Sequence, residues 1–79
     1  MLNNATNAAE FINELAAHLK PVVSEIETSF AITQHHYADY MAVISKLSKG
    51  NMNAAKGIAL ALIQAGGNKE GILAAMRLI

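Results

Sequence analysis

Cysteine and tryptophan are absent from this chain, which has one proline, two tyrosines and two phenylalanines among its 79 residues. Without cysteine, the chain can form neither disulfides nor thiolate metal sites. A chain of this length makes one domain, residues 1–79, and buries only about 60% of the surface of its unfolded state. Because cysteine cross-links cannot stabilise it, we expect the chain to gain stability by forming a homo-oligomer.

Export and membrane signals are absent from the sequence as well. The opening stretch MLNNATNAAE has no basic residue before its first acidic one and no apolar core of signal-peptide length. The longest apolar run, residues 58–63, is far shorter than the roughly 20 residues that cross a bilayer. We therefore expect a cytoplasmic protein with no membrane partner.

An excess of one charge is also absent, because the formal net charge is zero. This balance makes a general nucleic-acid binder unlikely, since phosphate neutralisation needs a concentrated face of lysine and arginine. The charges are nevertheless divided along the chain. Residues 1–40 carry five acidic residues and one basic residue, and residues 41–79 carry five basic residues and one acidic residue. The two halves either neutralise each other within one bundle or dock the acidic half of one subunit on the basic half of another.

Strand-like alternation does not occur, and apolar residues instead recur every three or four positions. This spacing predicts an all-α fold, a compact bundle of four or five short helices. Asparagine side chains suit helix starts because they accept hydrogen bonds from free backbone N–H groups, and glycines suit helix ends. The predicted starts are Asn7, Asn51 or Asn53, and Asn68, and the predicted ends are Gly50, Gly66 and Gly67.

The single proline, Pro21, interrupts the first helical pattern. Proline lacks a backbone N–H and clashes with the carbonyl of Ala17, so the helix either ends near Leu19 or kinks there. The apolar stripe continues beyond the proline, however, and a second helix with Pro21 in its first turn is equally consistent with the pattern. Thr33 is the predicted cap of the next helix.

The last part of the chain is unusually apolar. Of the 28 residues in 52–79, 17 are alanine, isoleucine, leucine or methionine, and a glycine pair divides them into two helices. The chain is therefore predicted to end in an αα-hairpin that carries more apolar surface than a small bundle can hide. Such a surface usually marks an interaction site. We predict a subunit interface on this hairpin, formed by Ile58, Leu62, Ile63, Ile72, Leu73 and Met76.

The same hairpin has the order of a helix-turn-helix motif, in which a tight turn leads into a helix that enters the DNA major groove. The stretch 61–76 combines a short turn with a second helix. The residues that carry this pattern are Gly66, Asn68, Lys69, Ile72 and Met76. In this pattern it resembles the turn and second helix of the factor-for-inversion family of nucleoid proteins, over 16 of the 79 residues. The resemblance implies a DNA-binding regulator that uses residues 57–79, with Lys69 and Arg77 as DNA contacts. The second helix otherwise offers few donors to bases or phosphates, so we rank a purely structural or dimer-forming hairpin first.

The stretch TQHHYADYM contains the only cluster of imidazole and aromatic groups. A metal site needs at least three protein ligands. His18, Asp39 and either His35 or His36 could meet only where subunits come together, so we predict no metal. An exposed turn with His35 paired to Asp39 is the simpler interpretation. A pocket for a small polar ligand between subunits is the alternative, with the helix starts at Asn51, Asn53 and Asn68 offering N–H groups to an anion. Its predicted residues are His35, His36, Tyr37 and Tyr40.

These patterns contain no arrangement of nucleophile, base and orienting group, and no glycine-rich phosphate loop after a strand. We therefore expect no catalysis and no cofactor. The sequence favours a non-catalytic, homo-oligomeric helical binding protein that sequesters a small polar or nucleotide-like ligand or docks on a protein partner. Such a protein would suit an accessory role in a bacterium or phage. The alternative is a helix-turn-helix DNA-binding regulator.

Overall fold

The computed structural model describes residues 7–30 and 34–79. These residues form four helices, which are α1 (Asn7–Glu27), α2 (Tyr37–Ser48), α3 (Met52–Gln64) and α4 (Lys69–Leu78). No strand occurs in the part of the chain that the structure describes. The predicted all-α bundle is therefore confirmed, with four helices.

The first helix is longer than expected and passes through the proline. It comprises Asn7–Glu27, 21 residues with Pro21 in its interior. The residues before Asn7, which would show whether Asn7 is its cap, lie outside the described residues. Both Pro21 and Ala17 are exposed on α1. Water can therefore donate a hydrogen bond to the Ala17 carbonyl in place of the N–H that proline lacks. The helix thus neither ends near Leu19 nor divides in two. The predicted cap Thr33 lies outside the described residues.

The predicted asparagine caps of the two last helices are confirmed. The side chain of Asn51 accepts a hydrogen bond from the Ala54 N–H at 2.9 Å, so Asn51 rather than Asn53 begins α3. Asn68 does the same for the Gly71 N–H at 3.1 Å. Each cap satisfies a backbone donor that has no acceptor within its own helix.

Helix α3 lies at the centre of the bundle, because it packs against α1, α2 and α4. Helix α2 also packs along α4. Four large side chains are completely buried where these helices meet, and they are Tyr40, Ile44, Leu62 and Ile72. Within the described residues, no helix combines the length and the apolar character needed to span a membrane.

Candidate functional site

Helices α3 and α4 leave an apolar surface uncovered on the outside of the bundle. We call it the hairpin face, and it consists of Leu60, Ile63, Leu73 and Met76, which line a groove of about 330 Å³. Leu60 is 57% exposed and Leu73 is 41% exposed, whereas Ile63 and Met76 are half-buried. Lys56 is the one charged residue that lines this groove. The face therefore offers an apolar centre with a cation at its edge.

The structure divides the six predicted interface residues into two sets. Ile63, Leu73 and Met76 lie on the hairpin face. Ile58, Leu62 and Ile72 instead belong to the core of the single chain, where the last two are completely buried. Ile58 also borders a second apolar cleft, which it shares with Phe11 and Leu47. Leu60 was missed by the sequence analysis because α3 is apolar on more than one side, and spacing alone does not tell which side faces the core.

The predicted histidine cluster forms a tight left-handed turn before α2. Gln34, His35 and His36 have φ values of +46°, +61° and +65°, a conformation that costs a non-glycine residue roughly 1–2 kcal/mol. Helix α4 approaches this turn so closely that a Cβ atom at Gly71 would collide with the backbone carbonyl of His35. We call residues 34–36 the histidine turn, and Gly71 is the residue that lets α4 pack directly upon it.

Glu27, the last residue of α1, connects three helices beneath the histidine turn. Its carboxylate accepts a hydrogen bond from the Tyr40 hydroxyl of α2, and another from the backbone N–H of Asn68, at 2.8 Å, where α4 begins. Burial, followed by the hydrogen bond to Glu27, raises the pKa of the Tyr40 phenol above its ordinary value of 10.0. Two N–H groups at the start of α4 therefore already have acceptors within the chain, because Asn68 donates to Glu27 and Gly71 donates to the Asn68 side chain.

The two histidines of the turn have different surroundings. His36 is buried, with Nε2 4.0 Å from a Glu27 oxygen and Nδ1 3.8 Å from an Asp39 oxygen. Its Nδ1 atom has no hydrogen-bond partner among the described residues. His35 is exposed, and its Nε2 atom lies 3.1 Å from a Glu70 oxygen. The expected pair of His35 with Asp39 is therefore replaced by His35 with Glu70, because the left-handed turn directs the two rings to opposite neighbours.

This geometry changes what the predicted ligand residues can do. Tyr40 is completely buried and His36 is buried, so neither presents an open ring to a ligand, while Tyr37 is half-buried and His35 exposed. Carboxylates of Glu27, Asp39 and Glu70 also lie within 4.0 Å of the two imidazole rings. This concentration of negative charge disfavours an anion such as a nucleotide. Ligand binding here stays a prediction without support from accessibility or charge.

Metal and DNA binding gain no support from the positions of their candidate residues. No group of three or more described histidine, aspartate or glutamate side chains is placed to hold a metal ion. Lys69 and Arg77 are exposed but lie eight residues apart on α4, about 12 Å along its axis. Leu73 is exposed between them, so the outer side of α4 has an apolar centre rather than a row of donors.

Among the features described, the hairpin face is the best candidate functional site. It carries three of the six predicted interface residues, together with two exposed leucines whose burial by a partner would be favourable. The polar cluster around Glu27 instead connects helices within the chain. Comparison of the chain with known protein families, curated proteins and solved structures finds no match.

Proposed function

We propose that this protein is a non-catalytic helical binding protein that acts through its hairpin face, and that a second copy of the chain occupies this face. The observation that carries the proposal is the exposure of Leu60 and Leu73 beside one shared apolar groove. Single exposed leucines are common on monomers, but two of them that continue into half-buried apolar residues form a patch. The small size of the chain adds a reason to associate, because a core of this size supplies little stability.

The energetics of this face set the size of the partner. Complete burial of a leucine from full exposure is worth roughly 1.5–3 kcal/mol, and Leu60 and Leu73 are already about half covered. Association costs roughly 4–15 kcal/mol in lost freedom of motion, so the two leucines alone cannot hold a partner. A standard interface covers about 800 Å² on each partner, roughly one-sixth of the 5183 Å² surface of this chain. The partner must therefore cover the charged edge of the groove as well.

Sedimentation velocity at micromolar concentration tests this proposal. We expect the unaltered protein to sediment as an assembly larger than the 8.4 kDa chain. Leu73→Glu should sediment as a folded monomer, because a carboxylate in an apolar interface loses its hydration without gaining a partner. Leu73 is exposed in the single chain, so circular dichroism should show unchanged helix content.

Leu78→Glu is the matched control, because Leu78 is 62% exposed on the same helix as Leu73 but does not line the groove of the hairpin face. We expect this variant to assemble like the unaltered protein. A folded 8.4 kDa monomer for the unaltered chain would overturn the proposal. Dissociation by Leu78→Glu with continued assembly of Leu73→Glu would contradict it too, because the interface would then lie elsewhere.

A further inference from the structure

We propose that the copies associate head to tail, with the outer side of α1 in one copy seated on the hairpin face of the next. We call this part of α1 the acidic ridge, and it consists of Glu10, Phe11 and Glu14. The inference rests on the proposed function, since it names the surface that covers the hairpin face. Three structural observations support it. Phe11 is exposed, the charges of the two surfaces are opposite, and the two surfaces border clefts on different sides of α3.

The acidic ridge presents one exposed aromatic ring with two carboxylates beside it. Phe11 is 64% exposed, and the carboxylates of Glu10 and Glu14 are exposed beside it. Residues three and four apart on a helix share a side, so Glu14 lies one turn from both Glu10 and Phe11. Burial of this exposed aromatic ring by a partner would be favourable. The surface that binds it must also carry cations, because the ring is flanked by carboxylates.

The hairpin face supplies the matching features. Its groove is lined by apolar side chains and by the cation Lys56. Two further cations, Lys69 and Arg77, are exposed on α4. Helix α3 contains no acidic residue, and the single acidic residue of α4, Glu70, faces His35. An apolar centre edged by positive charge is complementary to an apolar ring edged by negative charge.

Symmetric pairing of two hairpin faces fits these charges less well. It would bring the cations of one copy towards the same cations of the other around a shared apolar centre, and like charges across an interface oppose association. Pairing of two acidic ridges has the same difficulty with carboxylates. Of these three pairings, that of a ridge with a face is the one that brings opposite charges together.

The two surfaces also cannot meet within one chain. Phe11 borders a separate cleft on the side of α3 that carries Gly57 and Ile58, whereas the hairpin face begins on the side that carries Lys56 and Leu60. Each copy therefore has one ridge to give and one face to receive. Contacts of this kind between unlike surfaces generate a closed ring or an open chain of subunits.

Charge reversal tests the pairing. Lys56→Glu and Glu14→Lys should each weaken self-association about three- to tenfold, because each places like charges across the contact. The double variant Glu14→Lys with Lys56→Glu should return to within about threefold of the unaltered protein, since it reverses both partners of the pair. An equimolar mixture of the two single variants should also assemble, with the two chains in equal numbers, because each ridge then meets a face of opposite charge.

The aromatic ring of the ridge has a matched control. Phe11→Ser should weaken association tenfold or more, whereas Phe30→Ser should leave it unchanged, because Phe30 is fully exposed outside the acidic ridge. Sedimentation velocity across a dilution series measures all of these variants, and circular dichroism checks that each remains helical. Phe11→Ser and Phe30→Ser both replace an exposed ring, so a difference between them reports position.

The outcomes separate this inference from the proposed function. If the unaltered protein does not assemble, both are overturned. A second set of results is that the unaltered protein assembles, Leu73→Glu is monomeric, Phe11→Ser still assembles normally, and the double charge variant is as weak as the single variants. The hairpin face would then bind a different surface of the second copy. In that case the head-to-tail arrangement is overturned and the proposed function stands.

Discussion

The phenol of Tyr40 and the carboxylate of Glu27 form a contact that ties single residues to the pH response of the protein. The hydroxyl is completely buried, donates to Glu27 and lies 3.3 Å from the Asn68 nitrogen. Ionisation of this phenol would place a buried negative charge beside the partly buried Glu27 carboxylate. The folded protein therefore retains the phenolic proton at pH values where an unfolded chain releases it.

This difference predicts a loss of stability in alkaline solution. Because the pKa of Tyr40 is raised in the folded state, its contribution to stability is complete below the ordinary value of 10.0 and declines as the pH rises above that value. Above pH 10 the decline approaches about 1.4 kcal/mol per pH unit. Tyr40→Phe should cost about 1–2 kcal/mol at neutral pH, through loss of the hydrogen bond to a carboxylate, and should remove this part of the alkaline decline.

Urea titrations of the two proteins between pH 7 and pH 11 measure both effects. Tyr37→Phe is the control, because Tyr37 also carries a phenol but is only half-buried at the start of α2. This control should keep the alkaline decline of the unaltered protein. Parallel stability curves for the unaltered protein and Tyr40→Phe would contradict the burial and hydrogen bonding assigned to Tyr40.

Residue-level features could be predicted where they act within a few positions. Asn51 and Asn68 were found because a cap binds a donor three residues ahead. Glu27 was missed because its partner Asn68 is 41 residues away, and no local pattern connects a helix end with a distant helix start. The burial of His36 was missed for a related reason, since its left-handed backbone decides where the ring points.

At the scale of helices, α1 continues through Pro21 because packing on both sides of the proline outweighs a local defect. Leu19 and Val23 are both buried and lie on either side of it along the chain. Helix stability in proteins comes mostly from such packing rather than from intrinsic propensity. The pattern at Pro21 was ambiguous because propensity and apolar spacing give opposite answers there.

Replacing the proline tests this account. Pro21 is exposed, so Pro21→Ala creates no cavity and restores a hydrogen bond to the Ala17 carbonyl. We expect the variant to be about 1–3 kcal/mol more stable, after allowance for the greater freedom of its unfolded chain. The midpoint of urea unfolding measures the gain. The neighbouring exposed change Lys20→Ala should stay within about 0.5 kcal/mol of the unaltered protein. A less stable Pro21→Ala would mean that the bundle needs a bend at this position.

Helix α3 marks the limit of prediction at this scale. Its apolar content showed that it would be buried and would join a hairpin, and both statements hold for most of its length. Which side of α3 is buried depends on where α1 and α2 pack against it. The spacing of apolar residues within α3 does not carry that information. Leu60 is therefore exposed and Leu62 completely buried, although both belong to the same apolar run.

At the scale of the whole molecule, part of the division of charge along the sequence becomes a division between helices. The acidic ridge lies on α1, and the cations Lys56, Lys69 and Arg77 lie on α3 and α4. The all-α class followed from periodicity alone, but the relation between these surfaces required the packing of α1 against α3. Charge counts by segment left open whether the two halves neutralise each other within one bundle or dock between subunits. The fold shows that Glu10 and Glu14 are exposed on α1 and that the three cations are exposed on α3 and α4.

The hydrogen bond from the Asn68 N–H to Glu27 gives a sensitive report on global opening. Amide protons at helix starts usually exchange rapidly with solvent, because they have no acceptor within the helix. The Asn68 proton instead donates to the Glu27 side chain and lies beside the Tyr40 hydroxyl, so its exchange requires this contact between the end of α1 and the start of α4 to open. In hydrogen–deuterium exchange it should be among the slowest amides, close to those of the core, while the adjacent Lys69 amide exchanges fast. A fast-exchanging Asn68 would show that the two helix ends part without unfolding of the bundle.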